Sequence, residues 1–142
     1  GMWDQMQFPG LRTDTPAPLY GYSFHPCPQS TRFMPSRADI VRYLRDVVDT
    51  YSLRQRMIFA QRVVTADFCT SRSIWRVTAE SGRVFECTYL MNCMGYFDLD
   101  DPHIPNFPGM SSFRGRIVHA YAWSDDVEFE GKRVVLIGSG ST

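Results

Sequence analysis

Val134-Val135-Leu136-Ile137-Gly138-Ser139-Gly140-Ser141-Thr142 is the stretch on which the fold turns. Arg133–Ile137 is a run of the kind found in a strand buried on both faces of a parallel sheet. It leads straight into a GxGxx turn. In such a turn the first glycine permits the tight bend, and the second lets the backbone approach a pyrophosphate. A helix that follows would offer its N-terminal amides to the phosphates. One more residue, glycine or alanine, would complete a dinucleotide-binding pattern. A plain glycine turn closing a strand is the other reading of these residues alone. A parallel strand also needs neighbours and a covering helix, so further α/β structure is expected beyond Thr142.

Just upstream, Phe113-Arg114-Gly115-Arg116-Ile117-Val118-His119-Ala120-Tyr121-Ala122-Trp123 has the form FxGxxxHxxxW. Arg116–His119 reads as a short strand. A histidine at a strand end can couple the movement of one domain to another by hydrogen bonding. By chemistry alone, the stronger reading is that Phe113 and Trp123 are core and His119 is a satisfied histidine.

Further back, residues 98–112 hold Asp98, Asp100, Asp101, three prolines and Gly109, and read as loop. Tyr89–Cys93 is an apolar strand ending at Gly95. Cys93-Met94-Gly95 is a small-residue strand end of the kind that lets a cofactor or a crossing chain come close. Ile74–Thr78 and Val84–Thr88 flank Glu80-Ser81-Gly82-Arg83, a hairpin turn signal. Met57–Phe68 is rich in β-branched and aromatic residues and reads as a strand.

The clearest helix covers residues 36–51. Ser36 is a good N-cap, with Asp39 three positions on as a short-armed capping box. Ile40, Tyr43, Leu44, Val47, Val48 and Tyr51 mark its buried stripe. Residues 1–35 are rich in Pro, Gly and Tyr and read as ordered loop, with Trp3, Phe8, Tyr20, Tyr22, Phe24 and Phe33 expected to be buried. Within them, Pro9-Gly10 makes a turn. If residues 12–14 are extended, Arg12 and Asp14 project from the same side, either as a cofactor-facing pair or as a surface ion pair. One good helix among strands indicates an α/β unit with an antiparallel meander attached.

Composition bounds the function. The 142 residues suffice for about one domain, and 44% are hydrophobic. Net charge is zero, which argues against nucleic acid or an anionic membrane surface as main partner. No apolar run approaches the roughly 18 residues of a membrane span. No signal-peptide pattern opens the chain. Cys27, Cys69, Cys87 and Cys93 form no CxxC pair or Cys/His ligand spacing, so reduced thiols in the cytoplasm are expected. His25, His103 and His119 are too scattered for a metal triad. The Asp98–Asp101 cluster lacks the glycine and glutamate of a calcium loop. Neither GxSxG nor a Walker loop occurs. No metal site is expected.

Taken together and in order, these segments resemble the class B flavoprotein monooxygenases, specifically the type I Baeyer–Villiger monooxygenases. Gly1-Met2-Trp3 resembles the tail of the family's GG-x-W segment. Phe8-Pro9-Gly10-Leu11-Arg12-Thr13-Asp14 resembles its YPGxRxD stretch, and Tyr20-Gly21-Tyr22-Ser23-Phe24 its Y-x-Y-S-F segment. Cys93-Met94-Gly95-Tyr96 sits where the family has an ATG-type linker. Pro105-Asn106-Phe107-Pro108-Gly109 resembles its PxxPG loop. Residues 113–123 match its fingerprint. Trp3-Asp4, Gly95-Tyr96 and residues 113–119 look closest to the ethionamide-activating branch. Two positions depart from the pattern: Ser124 follows Trp123 where Pro or Asp is usual, and Met94 replaces Thr or Ser.

The resemblance implies a two-dinucleotide-binding, Rossmann-like flavoprotein fold. Residues 1–112 would be part of the FAD-binding domain, whose first GxGxxG strand would precede Gly1. Residues 113–142 would be the fingerprint and the start of the NADPH-binding domain. It implies FAD and NADPH as cofactors, O2 as co-substrate, and a ketone, sulfide or amine as substrate, oxygenated through a C4a-peroxyflavin. Asp14 and His119 would be the catalytic-site residues, with Asp14 near flavin and nicotinamide and His119 acting in domain coupling. Arg12 and Thr13 would lie along the NADP path, Tyr20 against the isoalloxazine, and the Val63 backbone near the adenine. Gly1, Trp3, Gly95, Trp123, Gly138, Ser139, Gly140, Ser141 and Thr142 complete the cofactor-binding set. A non-catalytic truncated form and a flavin-dependent reductase are the competing expectations.

Overall fold

The structure is a computed structural model that describes residues 1–28, 32–95, 98 and 100–138. The chain divides into two compact units. One comprises Gly1–Ser52 with Phe97–Thr142, and the other Leu53–Tyr96.

The first unit is organised around helix α3, Arg37–Thr50. Its start is local chemistry. The Ser36 hydroxyl accepts the Asp39 amide at 3.3 Å, and the Asp39 carboxylate accepts the Ser36 amide at 3.1 Å. The expected capping box is present, and it satisfies amides that have no partner inside the helix. Ile40, Tyr43 and Val47 fall one turn apart and are buried. Burying the Ile and Val side chains contributes about 1.5–3 kcal/mol each. Leu44 and Val48 are half-buried at the edge of the stripe, whereas Tyr51 is 42% exposed.

Residues 1–35 contain two short helical turns, α1 (Met2–Gln5) and α2 (Ala17–Tyr20), joined by irregular chain. Met6, Thr13, Ala17 and Pro35 complete the buried set of this region. Trp3, Phe8 and Tyr20 are half-buried, but the burial expected of Tyr22, Phe24 and Phe33 is not found. Tyr22 and Phe24 instead stack on each other at 5.2 Å, and Phe24 meets the edge of Tyr51 at 5.3 Å. Ring stacking on a helix flank thus takes the place of core burial.

The second unit is an antiparallel meander of strands β1 (Val63–Cys69), β2 (Ile74–Ala79) and β3 (Val84–Cys87), in that order. The β2–β3 turn lies where the hairpin signal placed it, and Gly82 takes φ +82° there, a conformation that strains any residue with a β-carbon. Phe68 lies opposite Trp75 and Arg76 opposite Glu86. Arg72 grips Glu86 with two bonds of 2.9 Å. Val77 and Ala79 on β2 are buried, while most of β1 is exposed.

Four expected strands differ. Residues 57–62 are irregular, because Leu53–Arg56 forms a 3₁₀ turn and Ala60 takes φ +53°, which interrupts extended chain before Val63. Tyr89–Cys93 has no ladder partner among the described residues, and Tyr89 and Met91 are exposed. Arg116–His119 forms no strand, since the next residues, Ala120–Ala122, turn into a 3₁₀ helix. Residues 133–137 pair with no described strand, and Leu136 is 85% exposed. An apolar run becomes a strand only when neighbouring strands satisfy its backbone groups.

Candidate functional site

The N-terminal segments converge on α3 through backbone pairing. The Thr13 amide donates to the Pro35 carbonyl at 2.9 Å, and the Arg37 amide to Leu11 at 3.0 Å. Arg12 and Ser36 form an isolated antiparallel bridge. Thr13 is buried between exposed Arg12 and Asp14, the alternation of extended chain. The Thr13 hydroxyl donates to the Thr15 carbonyl at 2.7 Å, which satisfies it inside. Arg37 Nη2 reaches the Asp4 carbonyl at 2.8 Å and ties α1 to α3.

Trp3 and Tyr20 then meet. The indole N–H donates to the Tyr20 hydroxyl at 2.7 Å, with the rings edge to face at 6.1 Å. Burial pushes the Tyr20 hydroxyl above its ordinary range; the Trp3 bond opposes this, and the Tyr22 and Asp14 charges add to it. Trp3, Thr13, Asp14 and Tyr20 are therefore brought to one locality. Gly1 caps α1, its carbonyl accepting the Asp4 amide at 2.8 Å.

The loop after Tyr20 is braced from α3. Tyr43 accepts the Tyr22 amide at 2.8 Å and donates to the His25 carbonyl at 2.7 Å. Tyr51 donates to the Phe24 carbonyl at 2.8 Å, and His25 Nε2 pairs with Asp46 at 2.8 Å. A β-carbon on Gly21 would lie 2.2 Å from the Cys27 backbone nitrogen. Only glycine permits that approach. Burial, then the Asp39 charge, pushes the Cys27 thiol up. Sequence reading assigned His25, Asp46 and these tyrosine hydroxyls no positioning part. Their only signal was that Tyr43 and Tyr51 occupy an otherwise aliphatic stripe.

In the fingerprint, His119 is half-buried and caps the 3₁₀ turn, its Nδ1 accepting the Tyr121 amide at 3.2 Å. That bond assigns the proton of the neutral ring to Nε2. Half-buried Trp123 lies edge-on to Phe129 at 6.1 Å. Gly138 takes φ +137°, a backbone that strains any other residue. Ser139, Gly140, Ser141 and Thr142 lie outside the described residues. Val63 and Gly95 (φ +81°) belong to the second unit, at the start of β1 and in the chain after β3.

Residues 10–142 match the flavin-binding monooxygenase-like (FMO-like) family. The chain belongs to that family. A probable FAD-binding monooxygenase AlmA of Acinetobacter baylyi is 35% identical over the whole chain, which covers 29% of that relative. FAD-containing monooxygenase EthA of Mycobacterium tuberculosis is 30% identical over the whole chain, again 29% of the relative. The open structure of cyclohexanone monooxygenase superposes with TM-score 0.78 at 33% identity, over all of this chain and 28% of that one. An oxidised steroid monooxygenase bound to NADP gives 0.77 at 32%, over 99% of this chain and 28% of that one. The chain thus spans less than a third of the length of these monooxygenases. The resemblance read from the motifs is borne out at the level of family and fold. Among the described residues no helix is long and apolar enough to cross a membrane, and no cluster of His, Cys, Asp or Glu gathers to hold a metal.

Proposed function

We propose that this chain supplies part of an FAD- and NADPH-dependent monooxygenase that transfers one oxygen atom of O2 to a ketone, or to a soft nitrogen or sulfur. The observation that carries it is the collinear match of residues 10–142 to a flavin-binding monooxygenase family, with Trp3, Thr13, Asp14 and Tyr20 gathered in one locality. FAD, reduced by NADPH, supplies the activation of O2.

The chain's own residues bind and orient. Tyr20, its hydroxyl committed to Trp3, presents an aromatic face to the isoalloxazine. Asp14 offers an exposed carboxylate near flavin and nicotinamide. Arg12 and Thr13 line the NADP path, and the Val63 backbone lies by the adenine. Gly138–Thr142 opens the phosphate turn of the NADPH-binding part. Gly1, Gly95 and Trp123 complete the cofactor contacts. His119 couples the FAD-binding part, 1–112, to the NADPH-binding part, 113–142. Its Nε2–H is the donor available for that purpose. The enzyme is cytoplasmic on this reading.

The test is the purified full-length gene product. It should carry a yellow flavin spectrum, consume NADPH and O2 together, and convert a ketone or sulfide to product. A protein that stays colourless after addition of FAD defeats the proposal. One that reduces an acceptor and oxygenates nothing is a reductase.

A further inference from the structure

Three side chains outside the named fingerprint positions close that segment on itself. Arg116 Nη1 donates to the Asp126 carbonyl at 3.1 Å and to Oδ2 at 3.0 Å. Its Nη2 donates to Asp126 Oδ1 at 3.1 Å and to Ser124 Oγ at 3.2 Å. The Ser124 hydroxyl in turn donates to Asp126 Oδ1. The planar guanidinium matches the carboxylate bidentately, a geometry a lysine would not reproduce.

The closed stretch runs from residue 116 to 126 and contains His119, the Ala120–Ala122 turn and Trp123. Tying its ends narrows the conformations open to the loop that carries His119. An exposed ion pair contributes only about 0–1 kcal/mol, so it biases the loop toward this conformation by at most about fivefold. Ser124 bonds to both ion-pair partners, so the residue that departs from the family pattern belongs to the clasp. Arg116 and then Ser124 hold the Asp126 carboxyl down at about 2.

We propose that Arg116, Ser124 and Asp126 are positioning residues that clasp the fingerprint loop and orient His119 for productive engagement of NADPH. This rests on the coupling part assigned to His119 above. The clasp itself touches no reacting atom.

The test uses full-length, FAD-loaded enzyme and follows anaerobic bleaching of the flavin by NADPH. Arg116→Ala and Asp126→Asn should each slow reduction about two- to fivefold, the population shift that an exposed pair can supply. The double variant should be no slower than the worse single one, the signature of a shared interaction. FAD occupancy should remain that of the unaltered enzyme and Tm should fall only slightly, as for loss of an exposed pair, which a loss of rate through unfolding would not allow. Single variants reduced at the unaltered rate overturn the proposal. So do additive losses, or losses that follow FAD occupancy. Unaltered enzyme that NADPH fails to reduce defeats the function reading itself and takes the clasp with it. Normal reduction of unaltered enzyme and variants alike defeats the clasp alone.

Discussion

The Tyr43 hydroxyl accepts the backbone amide of Tyr22 at 2.8 Å, across 21 residues of chain. The same oxygen donates to the His25 carbonyl, so one buried helix residue holds both ends of the loop that follows Tyr20. Tyr43→Phe keeps the ring and removes both bonds. It should cost about 1–2 kcal/mol and speed amide exchange in residues 21–27. Thermal unfolding and hydrogen-exchange mass spectrometry check this; unchanged exchange there would refute the brace.

Ser36→Ala should cost about 1 kcal/mol through loss of the N-cap. Its pH signature is specific. The Ser36 bonds hold the Asp39 carboxyl below its ordinary 3.8. Its contribution is therefore present above pH 3.8 and is lost as pH falls through the lower folded value. Stability measured against pH should show a shallower acid limb in the variant.

Two glycines should respond unequally to alanine. Gly82 sits at φ +82° with open space around the missing β-carbon, so Gly82→Ala should cost about 1–2 kcal/mol of backbone strain. Gly21→Ala should cost more, because the new carbon meets Cys27 backbone rather than a flexible side chain. Chemical denaturation of both variants gives the order, and a milder Gly21→Ala would refute the close approach.

Asp126 supplies a titration test. Its carboxyl lies at about 2, lowered from 3.8 first by Arg116 and then by Ser124. Stability from this group is present above pH 3.8 and fades as pH falls toward 2. Ser124→Ala should move the carboxyl upward, part of the way to 3.8, and Arg116→Ala further. Carbon-13 NMR of the Asp126 carboxyl reads both shifts directly.

The features legible in the sequence alone share one property, short range. The capping box joins Ser36 to Asp39, and the β2–β3 turn closes over four residues. The fingerprint and glycine-turn motifs carried the family because their order and spacing survive in the chain itself. The Trp3–Tyr20 bond could only be expected as two aromatics needing shelter, since the pairing spans 17 residues.

Helix α3, the hairpin and the motif order were thus written locally, in bonds three or four residues long and in a positive φ at Gly82 that a β-carbon would strain. Tertiary structure decided the rest. It chose which side of α3 would hold the loop at Tyr22 and His25. It joined Arg116 to Ser124 and Asp126. Val134–Ile137, whose composition reads as strand, find no partner strand among the described residues. Each of these depends on what distant chain lies alongside. A strand without a neighbour has backbone groups only water can satisfy, whatever its side chains prefer.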